Sequence, residues 1–129
     1  MSEMQTVEVN FNDEEVLIGA LKNLGYNPAQ YEKSKSIKVY YQNKGKPKAN
    51  IVISKNQFGG YADVGFERQE KGFRMHLDNM DHKKFKVHKL KQFYSEGKIM
   101  KSIKKHHNFS IINRKEQGGK IRIRVRRTF

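Results

Sequence analysis

Both ends of a helix can be read directly in residues 12–25, and no other stretch constrains the fold as strongly. Asn12 suits an N-cap, and Glu15, three residues on, completes a capping-box spacing. Phe11 before the cap and Val16 after it stand at hydrophobic-staple spacing. Asp13, Glu14 and Glu15 put negative charge at the positive end of the helix dipole. Val16, Leu17, Ala20, Leu21 and Leu24 form one apolar stripe, and Gly25 suits a left-handed stop. A helix with a single apolar stripe must bury it against another layer.

Strand-like segments supply that layer. Residues 6–11 alternate, with Val7, Val9 and Phe11 on one face. Residues 26–36 are polar and read as a loop, with Pro28 barring a continued helix. Residues 37–41, 50–54, 62–67 and 73–78 read as four strands, joined by a basic turn at 43–48, by Gly59-Gly60 and by Lys71-Gly72. Short connections make these an antiparallel meander. Residues 83–107 suit a second helix through Phe85, Leu90, Phe93, Tyr94, Met100 and Ile103. Its stripe is untidy, Gly97 reads as a bend, and Asn108 as the stop. Residues 109–112 and 120–129 complete the order β-α-β-β-β-β-α-β-β around a turn at 116–119. The expected fold is α+β, a two-layer sandwich of a mostly antiparallel sheet with both helices on one face. A chain of 129 residues makes one domain, 1–129.

Charge narrows the function. Twenty-seven lysines and arginines face 13 acidic residues, a formal net charge of +14, which favours a polyanionic partner. The plainer alternative is a merely soluble basic protein. With no cysteine, disulfides, thiolate metal sites and cysteine nucleophiles are excluded. The amino terminus lacks a secretory pattern, and no apolar run approaches the roughly 20 residues of a membrane span. A soluble intracellular protein is expected, with no membrane association.

The last strand concentrates the charge. Ile121, Ile123 and Val125 alternate with Lys120, Arg122, Arg124 and Arg126, and Arg127 follows. Lys38 and Tyr40 share a face of the expected second strand, and Lys44, Lys46 and Lys48 load the turn beside it. Lys84, Lys91, Lys98, Lys101 and Lys105 belong to the cationic second helix. Lysine and arginine contact phosphates, and aromatics on an open sheet stack unpaired bases. These residues make a candidate nucleic-acid surface, RNA favoured. The bland reading of the arginine row is a solubilising face that discourages edge pairing. An acidic protein surface is the alternative partner, for an adaptor or for an inhibitor of a nucleoprotein. No catalytic motif stands out and no cofactor is implied: Walker and Rossmann glycine spacings and the Gly-x-Ser-x-Gly elbow are absent. His76 and Asp78 would share a strand face near Asp81-His82, short of a metal set with its full ligands.

Taken together, several blocks resemble the uncharacterised family of hypothetical chloroplast open reading frame thirty-five, found in algal plastids, cyanobacteria and phages. They are Ala20-Leu21-Lys22-Asn23-Leu24-Gly25-Tyr26, Ala49-Asn50-Ile51-Val52-Ile53, Asp63-Val64-Gly65-Phe66, Tyr94, Phe109-Ser110-Ile111 and the closing Gly119 to Arg127. Members commonly carry a tryptophan near the end, where this chain closes on Phe129. The resemblance implies no activity. Through gene neighbours it implies an accessory role beside ring-forming ATPases.

Overall fold

Alternation of buried and exposed positions selects one face of a sheet for the core. In the computed structural model, which describes residues 4–37, 47–105, 109–117 and 120–127, the elements run as follows. They are β1 (Met4–Phe11), α1 (Glu14–Asn23), β2 (Ala29–Ser36), β3 (Lys48–Ile53), β4 (Val64–Gln69), β5 (Gly72–Asp78), α2 (His82–Phe85), α3 (Val87–Lys105), β6 (Phe109–Gln117) and β7 (Lys120–Arg127). β2 to β5 form an antiparallel meander whose last three strands are the expected ones, and β1 pairs antiparallel with β5, giving a five-stranded sheet of order β1-β5-β4-β3-β2.

Ile51, Ile53, Val64, Phe66, Phe73, Met75 and Leu77 turn one face of this sheet inward. Val16, Leu17, Ala20 and Leu21 of α1, Phe85 of α2, and Val87, Leu90 and Tyr94 of α3 pack over them. The fold is the expected α+β arrangement. Each fully buried leucine or phenylalanine here contributes about 1.5–3 kcal/mol of transfer free energy. No helix among the described residues is long and apolar enough to cross a membrane.

α1 ends as its sequence demands. Gly25 sits at φ 91°, Gly25 N donates to Lys22 O, and Tyr26 N donates to Leu21 O. This is the double bond of a Schellman stop. The start differs by one residue. Asp13, not Asn12, is the cap, its Oδ1 accepting from Val16 N at 3.1 Å. Asn12 is diverted to α3, where its Oδ1 accepts from the Tyr94 hydroxyl at 2.9 Å. The capping box with Glu15 therefore does not form.

The stretch 26–36, expected as a loop, holds a strand, and of the strand expected at 37–41 only Ile37 lies among the described residues. The strand found, β2, occupies Ala29–Ser36, and Ile37 is the first residue past its end. As an edge strand exposed along almost its whole length, β2 has no apolar period to betray it. Asn50 holds it in place. Its Nδ2 donates to the carbonyls of Tyr31 and Glu32 at 3.3 and 3.1 Å, while Arg68 N donates to its Oδ1 at 2.9 Å. One buried amide thus bridges both neighbours where the β2–β3 register shifts between Gln30 and Lys35.

The second helix is two helices. Lys86, at φ 63° and ψ 52°, breaks the run between α2 and α3, while α3 continues through Gly97. The interruption of the helical run falls at Lys86, where none was expected. Gly97 serves close packing instead, since a Cβ there would stand 2.8 Å from Val16 Cγ1 on α1. The break explains the untidy stripe: Phe85 and Leu90 belong to separate helices on either side of a left-handed residue.

β6 and β7 form a hairpin of their own rather than extending the main sheet. Across its ladder Arg122 pairs with Lys115, Arg124 with Asn113 and Arg126 with Ser110. Glu116, the acid of β6, pairs with Ile121, at the alternate register positions.

Candidate nucleic-acid interface

Asp81 fixes the approach to the basic corner. Its carboxylate is fully buried and caps nothing in α2. Instead it accepts from Tyr61 N at 2.9 Å and from Ala62 N at 3.2 Å, tying the loop before β4 to the start of α2. A buried charge needs such charge-assisted partners. The loop so held leaves Tyr61 38% exposed, with the Lys84 ammonium 4.6 Å from its ring centroid.

Phe85 fixes the other side. Its ring stacks on Tyr26 at 4.9 Å and 7°, and Phe58 meets it edge-on at 5.3 Å. The Tyr26 hydroxyl donates to Phe85 O at 2.8 Å, one of the carbonyls a helix end leaves open. Burial pushes the Tyr26 hydroxyl above its usual pKa, so it stays a donor. Lys86 then closes α2, donating to His82 O and Lys83 O, and opens α3 by accepting from Leu90 N at 3.0 Å.

The left-handed turn gathers side chains from both helices around one open cavity of about 560 Å³. Lys83, Lys86, Lys89 and Lys91 line it with His82 and His88; Val87 and Gln92 complete the lining. Among the described residues no carboxylate lines it. Gln92 Nε2 lies 3.0 Å from His88 Nε2. The first turn of α3 carries no acidic residue, whereas that of α1 carries Glu14 and Glu15. Positive side chains at the positive end of a helix dipole raise the local potential and favour an anion there.

The expected site residues divide into groups. Lys84 and Lys91 lie at this corner, both exposed. Lys98 and Lys101 are engaged within the fold. Lys98 Nζ donates to Asn12 Oδ1 at 3.2 Å, and Lys101 Nζ stands 2.7 Å from Asp13 Oδ2 and 3.6 Å from Glu15 Oε2. The Lys101 hydrogen bond holds the Asp13 carboxyl below its usual pKa, and Asp13 raises that of Lys101. Lys48 is exposed at the start of β3, paired with Ser36, and Lys105 is the last residue of α3. Lys120, Arg122, Arg124, Arg126 and Arg127 belong to β7. Lys38, Tyr40, Lys44 and Lys46 lie outside the described residues.

Sequence reasoning gave Tyr61 no part in the site and drew no cavity from Lys83, Lys86 and Lys89. The signal for Tyr61 was its position after Gly59-Gly60; for the cavity it was a dense lysine run through a broken stripe. His76 Nε2 lies 3.0 Å from Glu67 Oε1, and Asp78 Oδ1 accepts from Met80 N. Among the described residues no group of three or more His, Asp or Glu could hold a metal ion.

Residues 20–124 match the family model described as "Protein of unknown function (DUF1257)", and the chain belongs to that family. No curated protein and no solved structure matches it.

Proposed function

We propose that this member of the DUF1257 family is a non-enzymatic module that binds RNA or single-stranded nucleic acid. The observation that carries the reading is the α2–α3 corner, where four lysines and two histidines border one cavity with no carboxylate among the described residues that line it. Ammonium groups so placed neutralise phosphates and release their counterions. A partly exposed aromatic ring, Tyr61, against Lys84 of the short helix α2, supports an unpaired strand, because every base has a face to stack. β7 supplies a second basic segment, its arginines at register positions opposite no acid of β6. Lys98 and Lys101 leave the contact set, since each is engaged at the start of α1. An intracellular setting, and kinship with hypothetical chloroplast open reading frame thirty-five, are parts of the same proposal.

A filter-binding titration of single-stranded RNA against salt tests it. Roughly four phosphate contacts predict a log–log slope of about −3, at about 0.7 per contact. Lys83→Gln with Lys91→Gln should shallow the slope, and Tyr61→Ala should weaken single-stranded RNA more than duplex. Undetectable affinity at low salt refutes the reading. A protein partner retained after nuclease treatment, without RNA affinity, would replace it with that of an adaptor.

A further inference from the structure

The β6–β7 hairpin holds an arrangement that the α2–α3 corner does not share. We propose that this ribbon binds in the major groove of B-form DNA and reads base edges from one of its faces, a second site beyond the single-stranded reading above.

The ladder sorts the residues by kind. Lys120 pairs with Gln117, Arg122 with Lys115, Arg124 with Asn113 and Arg126 with Ser110. Positions along a strand alternate between the two faces of a sheet, and directly paired residues share a face. These positions therefore make up one face, and its residues are all lysine, arginine, asparagine, glutamine or serine. The pairs Ile121–Glu116, Ile123–Arg114 and Val125–Ile111 fall on the other face, so the acid of β6 is placed with the apolar residues. A register shift preserves the sorting. The ladder slips between Ile111 and Asn113, where a bulge absorbs Ile112. A regular ladder running on from Asn113 and Arg124 would set Ile111 opposite Arg126, an apolar residue on the polar face.

The polar face has the chemistry of base recognition. Arginine and lysine donate to the O6 and N7 of guanine, asparagine and glutamine pair with the N6 and N7 of adenine, and serine accepts either role. Three of the four pairs set a cation beside an amide or hydroxyl that both donates and accepts. Burial favours the apolar face, so a polar partner belongs on the other. Dimensions agree. β7 has eight residues, about 27 Å of strand. Two strands about 5 Å apart fit a major groove about 12 Å wide, and the strong twist of a two-stranded ribbon suits a helical groove. Among the described residues no third strand widens the ribbon. The major groove of A-form RNA is deep and narrow and shuts such an element out, which selects DNA.

The test uses fluorescence anisotropy with the full chain and three probes: a mixed-sequence DNA duplex of about two helical turns, an RNA duplex of the same sequence, and single-stranded RNA. The DNA duplex should bind about tenfold more tightly than the RNA duplex. Methylating guanine N7, which lies in the major groove, should cost about tenfold with the unaltered protein. Arg122→Gln with Arg124→Gln should shrink the DNA-over-RNA ratio to about twofold or less. Asn113→Ala, which removes no charge, should weaken the DNA duplex several-fold at an unchanged salt slope, an outcome that phosphate contacts alone would not give. Equal binding of the two duplexes, or indifference to N7 methylation, overturns the groove proposal and leaves the single-stranded reading standing. Binding of the DNA duplex without single-stranded RNA supports the groove and refutes that reading. Failure of all three probes to bind overturns both.

Discussion

Removing one oxygen from Tyr94 should cost the fold a measurable share of its stability. The Tyr94 hydroxyl accepts from Asn12 N at 2.9 Å and Asp13 N at 3.0 Å, and donates to Asn12 Oδ1 at 2.9 Å. It thus anchors the entrance of α1 from a helix 82 residues away. Tyr94→Phe keeps the ring, including its edge-on contact with Phe11 at 4.8 Å, and so opens no cavity. Three hydrogen bonds at about 0.5–1.5 kcal/mol each set an upper range of roughly 2–4 kcal/mol. Asn12 is exposed and Asp13 half-buried, so water can replace part of the lost bonding. The expected loss is about 1–2 kcal/mol. With a urea dependence of about 2 kcal/mol per molar, the unfolding midpoint should fall by roughly 0.5–1 M, at unchanged slope. Far-ultraviolet circular dichroism during urea titration measures it. Most of the cost should persist in an Asn12→Ala background, because the two backbone donors remain. A change under about 0.3 kcal/mol, or a cost that vanishes in that background, would refute the anchoring argument.

Three further outcomes are expected. Asn50→Asp should destabilise by about 2–4 kcal/mol, well beyond Asn50→Ala, because a carboxylate would confront the Tyr31 and Glu32 carbonyls; chemical denaturation distinguishes them. Gly97→Ala should lower the thermal midpoint despite a helix-propensity gain of about 1 kcal/mol, and Val16→Ala should partly rescue it. The Asp13 pKa is depressed, so its contribution exists above the ordinary carboxylate range and fades as pH falls through its lowered value. That of Lys101 is raised, so its contribution exists below the ordinary lysine range and fades as pH rises through its raised value. Melting scans of Lys101→Gln should therefore show a flatter acid limb than the parent between about pH 5 and 2.

Legibility in the sequence followed how local each cause was. The stop of α1 needs only Gly25 and its neighbours, and it was readable. The start of α1 was displaced because the competitor for Asn12 sits on α3, beyond any sequence window. β2 was missed because an edge strand pairs through its backbone and needs no apolar face; its anchor, Asn50, lies on another strand. Lys86 hid the helix break because a positive φ is expected at glycine, and Gly97 drew the expectation away. Positive charge could be counted along the chain, but its availability could not. Lys98 and Lys101 differ from Lys83 and Lys91 only in what the fold sets opposite them.

The aromatic anchor beneath the corner has one more consequence. Tyr26, Phe58 and Phe85 hold the backbone of α2 without using a single lysine. Rigidity and charge are therefore carried by different side chains. The cost of ordering the backbone around the cavity is met during folding, leaving only flexible lysine stems to be immobilised on contact. Such a division makes the corner interchangeable in character. Replacing its exposed cations by neutral or acidic residues should redirect what it attracts while the frame beneath stays as it is.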